Sequence, residues 1–209
     1  MMTTLYLLRH GATRANLARP YWLQGQGRDE PLIPQGIRQA EQARDQLSQR
    51  PITAVYSSPM LRAAATAHII AAPHELEVQL RDQLKEGDVG RWEGRTWEEI
   101  QSSEPEAFKA FHDDPGQHGY PGGENFRQVA ERVVPLIKQI IHDHPSQQVV
   151  IVSHQIVTRV FIGYLLELPA RRVRQIKLAN GGISVVSCTA EKMQLVTLNA
   201  ALHLEDALE

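Results

Sequence analysis

Two short apolar runs, Leu5-Tyr6-Leu7-Leu8 and Val149-Val150-Ile151-Val152, carry no charged residue at either parity, and each breaks off just before a histidine, in Arg9-His10-Gly11 and Ser153-His154. A strand with one face in water alternates apolar and polar residues. An uninterrupted run is the pattern of a strand covered on both faces, as in a parallel sheet between two layers of helix. The rest of the chain agrees with an α/β fold, because short β-rich runs alternate with longer stretches of helical period. Helical spacing places Ile37, Ala40, Ala43 and Leu47 on the inner face of a helix over 35–49, and an alanine-rich helix follows Pro59 over 60–71. Strands are expected at Thr53–Tyr56 and Glu77–Leu80, and Val149–Val152 reads as a central strand. Phe126, Val129, Val133, Leu136, Ile140 and Ile141 form a further helical stripe that Pro135 should kink. A helix after His154 turns Ile156, Val157, Val160, Phe161 and Tyr164 inward, and Ile183–Cys188 with Leu195–Leu198 reads as a closing hairpin.

The expected architecture is a three-layer α/β/α sandwich with a mostly parallel central sheet, built as one domain over residues 1–209. The regular alternation stops over about 82–123, where Trp92 and Trp97 sit between turn-rich ends. That stretch is expected to be an inserted helical lid with two short helices, covering one end of the sheet.

Charge narrows the function. With 24 acidic against 22 basic side chains the net charge is −2, so no basic field is available for a polyanion and general nucleic-acid binding is not expected. An anionic ligand must be held by a local cluster, which suits a small charged metabolite. The longest later apolar stretch, Val160–Leu166, is far short of the roughly 20 residues that span a bilayer. Leu5–Leu8 has no basic region before it and is cut off by Arg9, unlike a signal peptide. The lone Cys188 can close no intrachain disulfide. A cytoplasmic protein without membrane contact is the expectation, and the sequence leaves a homodimer open.

Three of the expected strands end on chemistry: Arg9-His10, Ser57-Ser58 and His154. Ligands of open α/β sheets bind outside the carboxyl ends of the strands, so these groups should converge. Arg62, one turn into the following helix, brings the count to two arginines and two histidines. Guanidinium forks match the oxygens of a phosphoryl group, and a neutral imidazole can attack phosphorus once that charge is compensated. Such a site needs no metal or other cofactor. The leaving alkoxide needs a proton, for which Glu86 and Asp88, flanking Gly87, are candidates.

At these residues the chain resembles the histidine phosphatase superfamily, in its phosphoglycerate mutase-like branch. Leu8-Arg9-His10-Gly11 with Asn16 is similar to the family's Arg-His-Gly signature, and Tyr56 to Ala63 with Arg62 to its second motif. Leu84-Lys85-Glu86 with Gly90 to Gly94 is similar to the acid motif, Gly122-Gly123-Glu124 to the segment before the long helix, and Val152-Ser153-His154 to the second-histidine motif. The resemblance implies that His10 is the nucleophile and forms a phosphohistidine. It implies that Arg9, Arg62 and His154 hold the phosphoryl oxygens, with Asn16 an added donor, and that Glu86 donates the proton and later serves as base. Gln24 and Gly25 match the loop over the substrate, and Gln155 stands where many members have glycine, so its side chain should narrow the pocket. Tyr21, Trp22, Arg28, Tyr120, Arg159 and His203 read equally well as structural or lid residues.

The resemblance implies a metal-independent phosphatase of a small phosphorylated metabolite. It extends to metal-independent phosphoserine and α-ribazole phosphatases, where Leu198-Asn199 with His203-Leu204 is similar to a C-terminal motif. Two alternatives stand beside it, a phosphoglycerate mutase and a catalytically silent phospholigand-binding protein. The mutases carry a longer insertion and Glu-Arg-His-Tyr-Gly where this chain has Glu86-Gly87-Asp88-Val89-Gly90, and the presence of each catalytic residue type speaks against a silent protein.

Overall fold

The computed structural model describes residues 2–189 and 191–204; residues 1, 190 and 205–209 of the expected domain lie outside the described residues. In chain order the elements are β1 (Thr3–Arg9), α1 (Arg14–Leu17), α2 (Pro34–Leu47), β2 (Ile52–Ser57), α3 (Leu61–Ala71) and β3 (Val78–Leu80). They continue with α4 (Trp97–Ser103), α5 (Pro105–Asp113), α6 (Phe126–Asp143), β4 (Gln148–Ser153), α7 (Gln155–Leu165), α8 (Ala170–Val173), β5 (Ile183–Cys188) and β6 (Met193–Ala200). The six strands form one sheet in the order β3-β2-β4-β1-β5-β6. Pairing is parallel from β3 to β1 and antiparallel at β5 and β6. Among the described residues no helix is long and apolar enough to cross a membrane.

The two apolar runs lie at the centre of the sheet, and their parities divide between two cores. Leu5, Leu7, Val149 and Ile151 face Val129, Val133, Ile137, Val157 and Phe161 of α6 and α7. Tyr6, Leu8, Val150 and Val152 face Ala43 and Leu47 of α2 and Ala63, Ala67 and Ile70 of α3. Each fully buried Val, Leu or Ile contributes about 1.5–3 kcal/mol, so both parities of the two strands stabilise the sandwich. A capping box opens α6, with the Gln128 N–H donating to Asn125 Oδ1 and the Asn125 N–H to Gln128 Oε1, both at 2.8 Å. Pro135 sits on the exposed side of α6, which runs unbroken through it.

Two residues expected inside are turned out. Ile37 is 41% exposed, because the buried stripe of α2 is Gly36, Ala40, Ala43 and Leu47. The sheet side of that helix takes glycine where its backbone meets the backbone of Ala12, and a Cβ on Gly36 would overlap the Ala12 carbonyl. Tyr164 is 43% exposed and carries the Lys138 ammonium 5.1 Å from its ring centre, while the neighbouring Gly163 takes the packing of Val173 from α8.

Candidate active site

The sheet register brings three strand ends level. Arg9 pairs with Ser153 and Ser57 with Val152. Beyond these pairs the His10 N–H donates to the Ser153 carbonyl at 3.0 Å and the Ser58 N–H to the Val152 carbonyl at 3.1 Å. His10, Ser58 and His154 therefore leave the sheet side by side, and the His10 and His154 rings meet edge-on with centroids 5.1 Å apart.

Hydrogen bonds orient both imidazoles. His10 Nδ1 lies 2.7 Å from the Gly11 carbonyl, an acceptor, so the ring proton sits on Nδ1 and the Nε2 lone pair is free to accept; Arg62 Nε donates to it at 3.2 Å. Burial, then the Arg62 and Arg9 charges, hold His10 well below the usual histidine range, against the pull of the Gly11 carbonyl. His154 is held well below it too, by burial and then by Arg62, His10 and Arg9. The Ser58 hydroxyl accepts from the Met60 N–H and lies 2.8 Å from His154 Nε2. Neither His154 Nδ1 nor Arg9 Nε has a partner among the described residues, although both are buried. Buried polar groups are nearly always paired, so an unpaired guanidinium N–H and an unpaired imidazole nitrogen at one sheet end point to a ligand that partners them.

The arginines are braced by backbone. Arg9 Nη1 donates to the Leu178 carbonyl at 2.8 Å, and Arg62 donates to the Gly25 and Arg28 carbonyls at 3.0 and 3.2 Å. His10, Arg62 and His154 are 3%, 1% and 0% exposed. A cavity of about 360 Å³ is walled by Arg9, Asn16, Gln24, Glu86 and Gln155 among others; His10, Arg62 and His154 are not themselves part of that wall. Asn16 Oδ1 accepts from the Thr13 N–H and from Asn180 Nδ2, which leaves its amide nitrogen as the end available to a ligand. Gln24 Oε1 accepts from the Thr13 hydroxyl at 2.9 Å. Gly25 is not part of the cavity wall; its N–H is taken by Glu93 and its carbonyl by Arg62.

Glu86 is buried and its carboxylate accepts from the N–H groups of Gly87, Gln155 and Ile156 at 2.9–3.1 Å. Burial nevertheless raises its pKa, outweighing the Gly87 N–H and the Arg62 and Arg9 charges. Asp88, the other candidate, instead accepts from the Gly90 N–H within the turn and is not part of the wall. Tyr21, Tyr120 and Arg159 are on the wall, whereas Trp22 and Arg28 stack on each other outside it and His203 bonds the Gly181 carbonyl.

Sequence reasoning missed three residues. Arg132 pairs with Glu124 and donates to the carbonyls of Gln83, Lys85 and Glu86, clamping the segment that carries the acid. Asn180 ties the His10 carbonyl to Asn16, and the only hint of it is the turn signal of Asn180-Gly181-Gly182. Arg174 reaches the cavity wall from a basic stretch that reads as a solvated surface. Among the described residues no group of three His, Cys, Asp or Glu is placed to hold a metal ion; His144, at the end of α6, is tied instead to Tyr56 and Gln147.

Known proteins are similar to the chain over most of its length. The metal-independent phosphoserine phosphatase of Arabidopsis thaliana is 35% identical, over 97% of this chain and 84% of that protein. The probable phosphoglycerate mutase GpmB of Proteus mirabilis is 32% identical, over 88% of this chain and 85% of its own length. Among solved structures, Bacillus stearothermophilus YhfR superposes with a TM-score of 0.89 at 27% identity, covering 97% of this chain and all of that one. With the model of the histidine phosphatase superfamily (branch 1) matched over residues 5–201, the chain belongs to that family.

Proposed function

We propose that the protein is a phosphoric monoester hydrolase that acts on a small phosphorylated metabolite through a phosphohistidine on His10. The observation that carries this reading is a neutral, oriented His10 Nε2 against Arg62, with a buried carboxyl of raised pKa, Glu86, on the cavity wall that Arg9 shares. His10 Nε2 attacks phosphorus as the ester P–O bond breaks, and the Glu86 carboxylic acid gives its proton to the departing alkoxide. Water then attacks the phosphohistidine, Glu86 takes a proton from it, and phosphate leaves with His10 neutral again. Arg9, Arg62 and His154 bind the phosphoryl oxygens and stabilise the charge of the transition state. Asn16, Gln24 and Gln155 border the substrate, while Gly25 acts through Arg62. Residues 1–209 act as one domain, with 82–123 as the cover of the site.

Hydrolysis without a metal is the expectation, supported by the likeness to the metal-independent phosphoserine phosphatase of Arabidopsis thaliana. The test is cleavage of p-nitrophenyl phosphate with chelator present, together with acid-labile labelling of His10 during turnover. Loss of both in His10→Ala is expected, and an unlabelled wild type that still turns over overturns the phosphohistidine. The GpmB-like relative favours one second reading, phosphoglycerate mutase activity. Rapid 2-phosphoglycerate formation from 3-phosphoglycerate without phosphate release, with a trace of 2,3-bisphosphoglycerate, would establish it instead.

A further inference from the structure

Arg62 takes its aim from a loop. Its Nη2 donates to the Gly25 carbonyl at 3.0 Å and its Nη1 to the Arg28 carbonyl at 3.2 Å. Asp29 Oδ1, which accepts from the Leu61 N–H, lies 3.7 Å from the same Nη1. A guanidinium is a rigid planar fork, so contacts at both terminal nitrogens set the direction of the third, Nε, which meets His10. Where residues 25–29 stand therefore decides where Arg62 points.

A carboxylate ties that loop down. Backbone pairing between the loop and the inserted segment, from the Leu23 N–H to the Arg95 carbonyl at 2.9 Å and from the Gly94 N–H to the Leu23 carbonyl at 2.8 Å, extends along the loop only to Leu23. Beyond it Glu93 Oε1 accepts from the Gly25 N–H at 2.8 Å and Oε2 from the Gly27 N–H at 3.0 Å. Hydrogen bonds to an ionised acceptor are among the stronger ones, and here both oxygens of one side chain hold one loop. A Cβ on Gly25 would come 2.9 Å from Glu93 Oε2, so glycine at that position lets the carboxylate close on two backbone donors. The Gln26 side chain adds one further bond, to the Glu86 carbonyl at 2.7 Å.

Glu93 is itself anchored from the other side. It follows Trp92, which is fully buried and meets the rings of Trp97, Phe111 and Tyr120 edge-on with centroids 5.6–6.0 Å apart. Those rings belong to the covering segment, so contacts run from its aromatic core through Glu93 and the Gly25 carbonyl to Arg62 and on to His10. The Glu93 charge also reaches the arginine: burial pulls the Arg62 pKa down, and Glu86, Asp29 and Glu93 hold it up. Misplacing a positioned group by about 1 Å can cost about 100-fold in rate, so the hold on this loop bears on the chemistry.

We propose that Glu93 is a positioning residue for the phosphoryl site, clasping the Gly25–Gly27 loop so that Arg62 faces both His10 and an incoming phosphoryl oxygen. The proposal rests on the hydrolase reading for what Arg62 does there. A double-mutant cycle on kcat/KM with p-nitrophenyl phosphate, with urea midpoints to show that each variant is folded, isolates the coupling. Glu93→Gln keeps one acceptor oxygen and sets an amide donor against the other N–H, and with Arg62 present it should lower kcat/KM by about tenfold or more. In the Arg62→Ala background the same change should cost less than about twofold, because no guanidinium remains to be aimed. Glu93→Asp keeps the charge but is one methylene short of both N–H groups, and should fall close to Glu93→Gln. Equal losses in the two backgrounds would reduce Glu93 to a structural support, and full activity in either Glu93 variant would overturn the clasp. Orthophosphate binding by the same four proteins of the cycle, followed by isothermal titration, repeats the test without turnover. If the wild type cleaves no ester, yet Glu93→Gln weakens orthophosphate binding only where Arg62 is present, the hydrolase reading fails and the clasp stands.

Discussion

Arg62 Nε donates to His10 Nε2 across 3.2 Å, so the lone pair of the proposed nucleophile and the guanidinium proposed to bind the phosphoryl group are mutually engaged. For His10 to attack, that N–H must pass to a phosphoryl oxygen, and the same substrate oxygen that frees the lone pair is the one the arginine stabilises. Removing one such donor typically costs about 3–4 kcal/mol in the transition state. Arg62→Ala should therefore lower turnover at least 100-fold, and Arg62→Lys, which keeps charge without the fork, should fall between it and wild type. Steady-state rates with p-nitrophenyl phosphate check this, and an unchanged rate in Arg62→Ala would show that the guanidinium plays no part in the chemistry.

Arg132 acts one step back from the reaction. Its contacts with Glu124 and with the carbonyls of Gln83, Lys85 and Glu86 fix the path of the chain that presents the acid. Arg132→Met removes the guanidinium from the Glu124 carboxylate, which keeps the Asp88 N–H, and from the Gln83 and Lys85 carbonyls, at a cost of about 1–3 kcal/mol in stability. As a positioning residue it should matter most where the leaving group needs a proton. The variant should lose at least tenfold more kcat on an alkyl phosphate than on p-nitrophenyl phosphate, whose leaving group departs unaided. A uniform loss on both substrates would reduce Arg132 to a stabilising role.

The central sheet and the convergence of His10, Ser58 and His154 at its end were legible because both depend on local rules. An apolar run at both parities means burial on two faces whatever surrounds it, and the residues that follow must emerge at the strand's end. Ile37 shows where such rules stop. Its hydropathy placed it inside, but close backbone approach turned Gly36 to the sheet, a preference set by a segment some 25 positions earlier in the chain. Arg174 was illegible for a related reason. Nothing local separates it from Arg171 and Arg172, and its position against Trp97 and Phe111 exists only once the covering helices are in place.

The contact between Gly11 and Gly36 carries its own consequence. A Cβ on Gly11 would overlap the carbonyl of Gly36, and one on Gly36 would overlap that of Ala12, so neither position has room for alanine. The neighbours are backbone, which cannot swing aside as a side chain would. Gly36→Ala should destabilise the fold by about 1–3 kcal/mol, measured as a lower midpoint of urea unfolding. It should also slow hydrolysis, since the displaced loop runs straight into His10. A midpoint within error of wild type would mean that α2 can slide without disturbing the loop.

Glu86 links activity and stability to pH with opposite signs. Its pKa is raised by burial, so the folded protein binds the proton more tightly than the unfolded chain does. For such a group the stabilising contribution is complete below the unfolded carboxylate value of about 4.3 and is lost as pH climbs through the raised folded value. As pH climbs past that raised value the protein comes to hold a buried carboxylate at a cost, so Glu86→Gln should gain in melting temperature relative to wild type toward pH 8. The difference should shrink toward pH 4. Activity runs the other way: with an alkyl phosphate, kcat/KM should fall as pH rises and the acid is lost, and Glu86→Gln should be at least 100-fold slower across the range. His10 sets the acid limb, because its depressed pKa keeps the nucleophile neutral until well below the ordinary histidine value of about 6.5. A Glu86→Gln protein that gains nothing on wild type toward pH 8, or one that still cleaves alkyl phosphates at the wild-type rate, would remove this carboxyl from the mechanism.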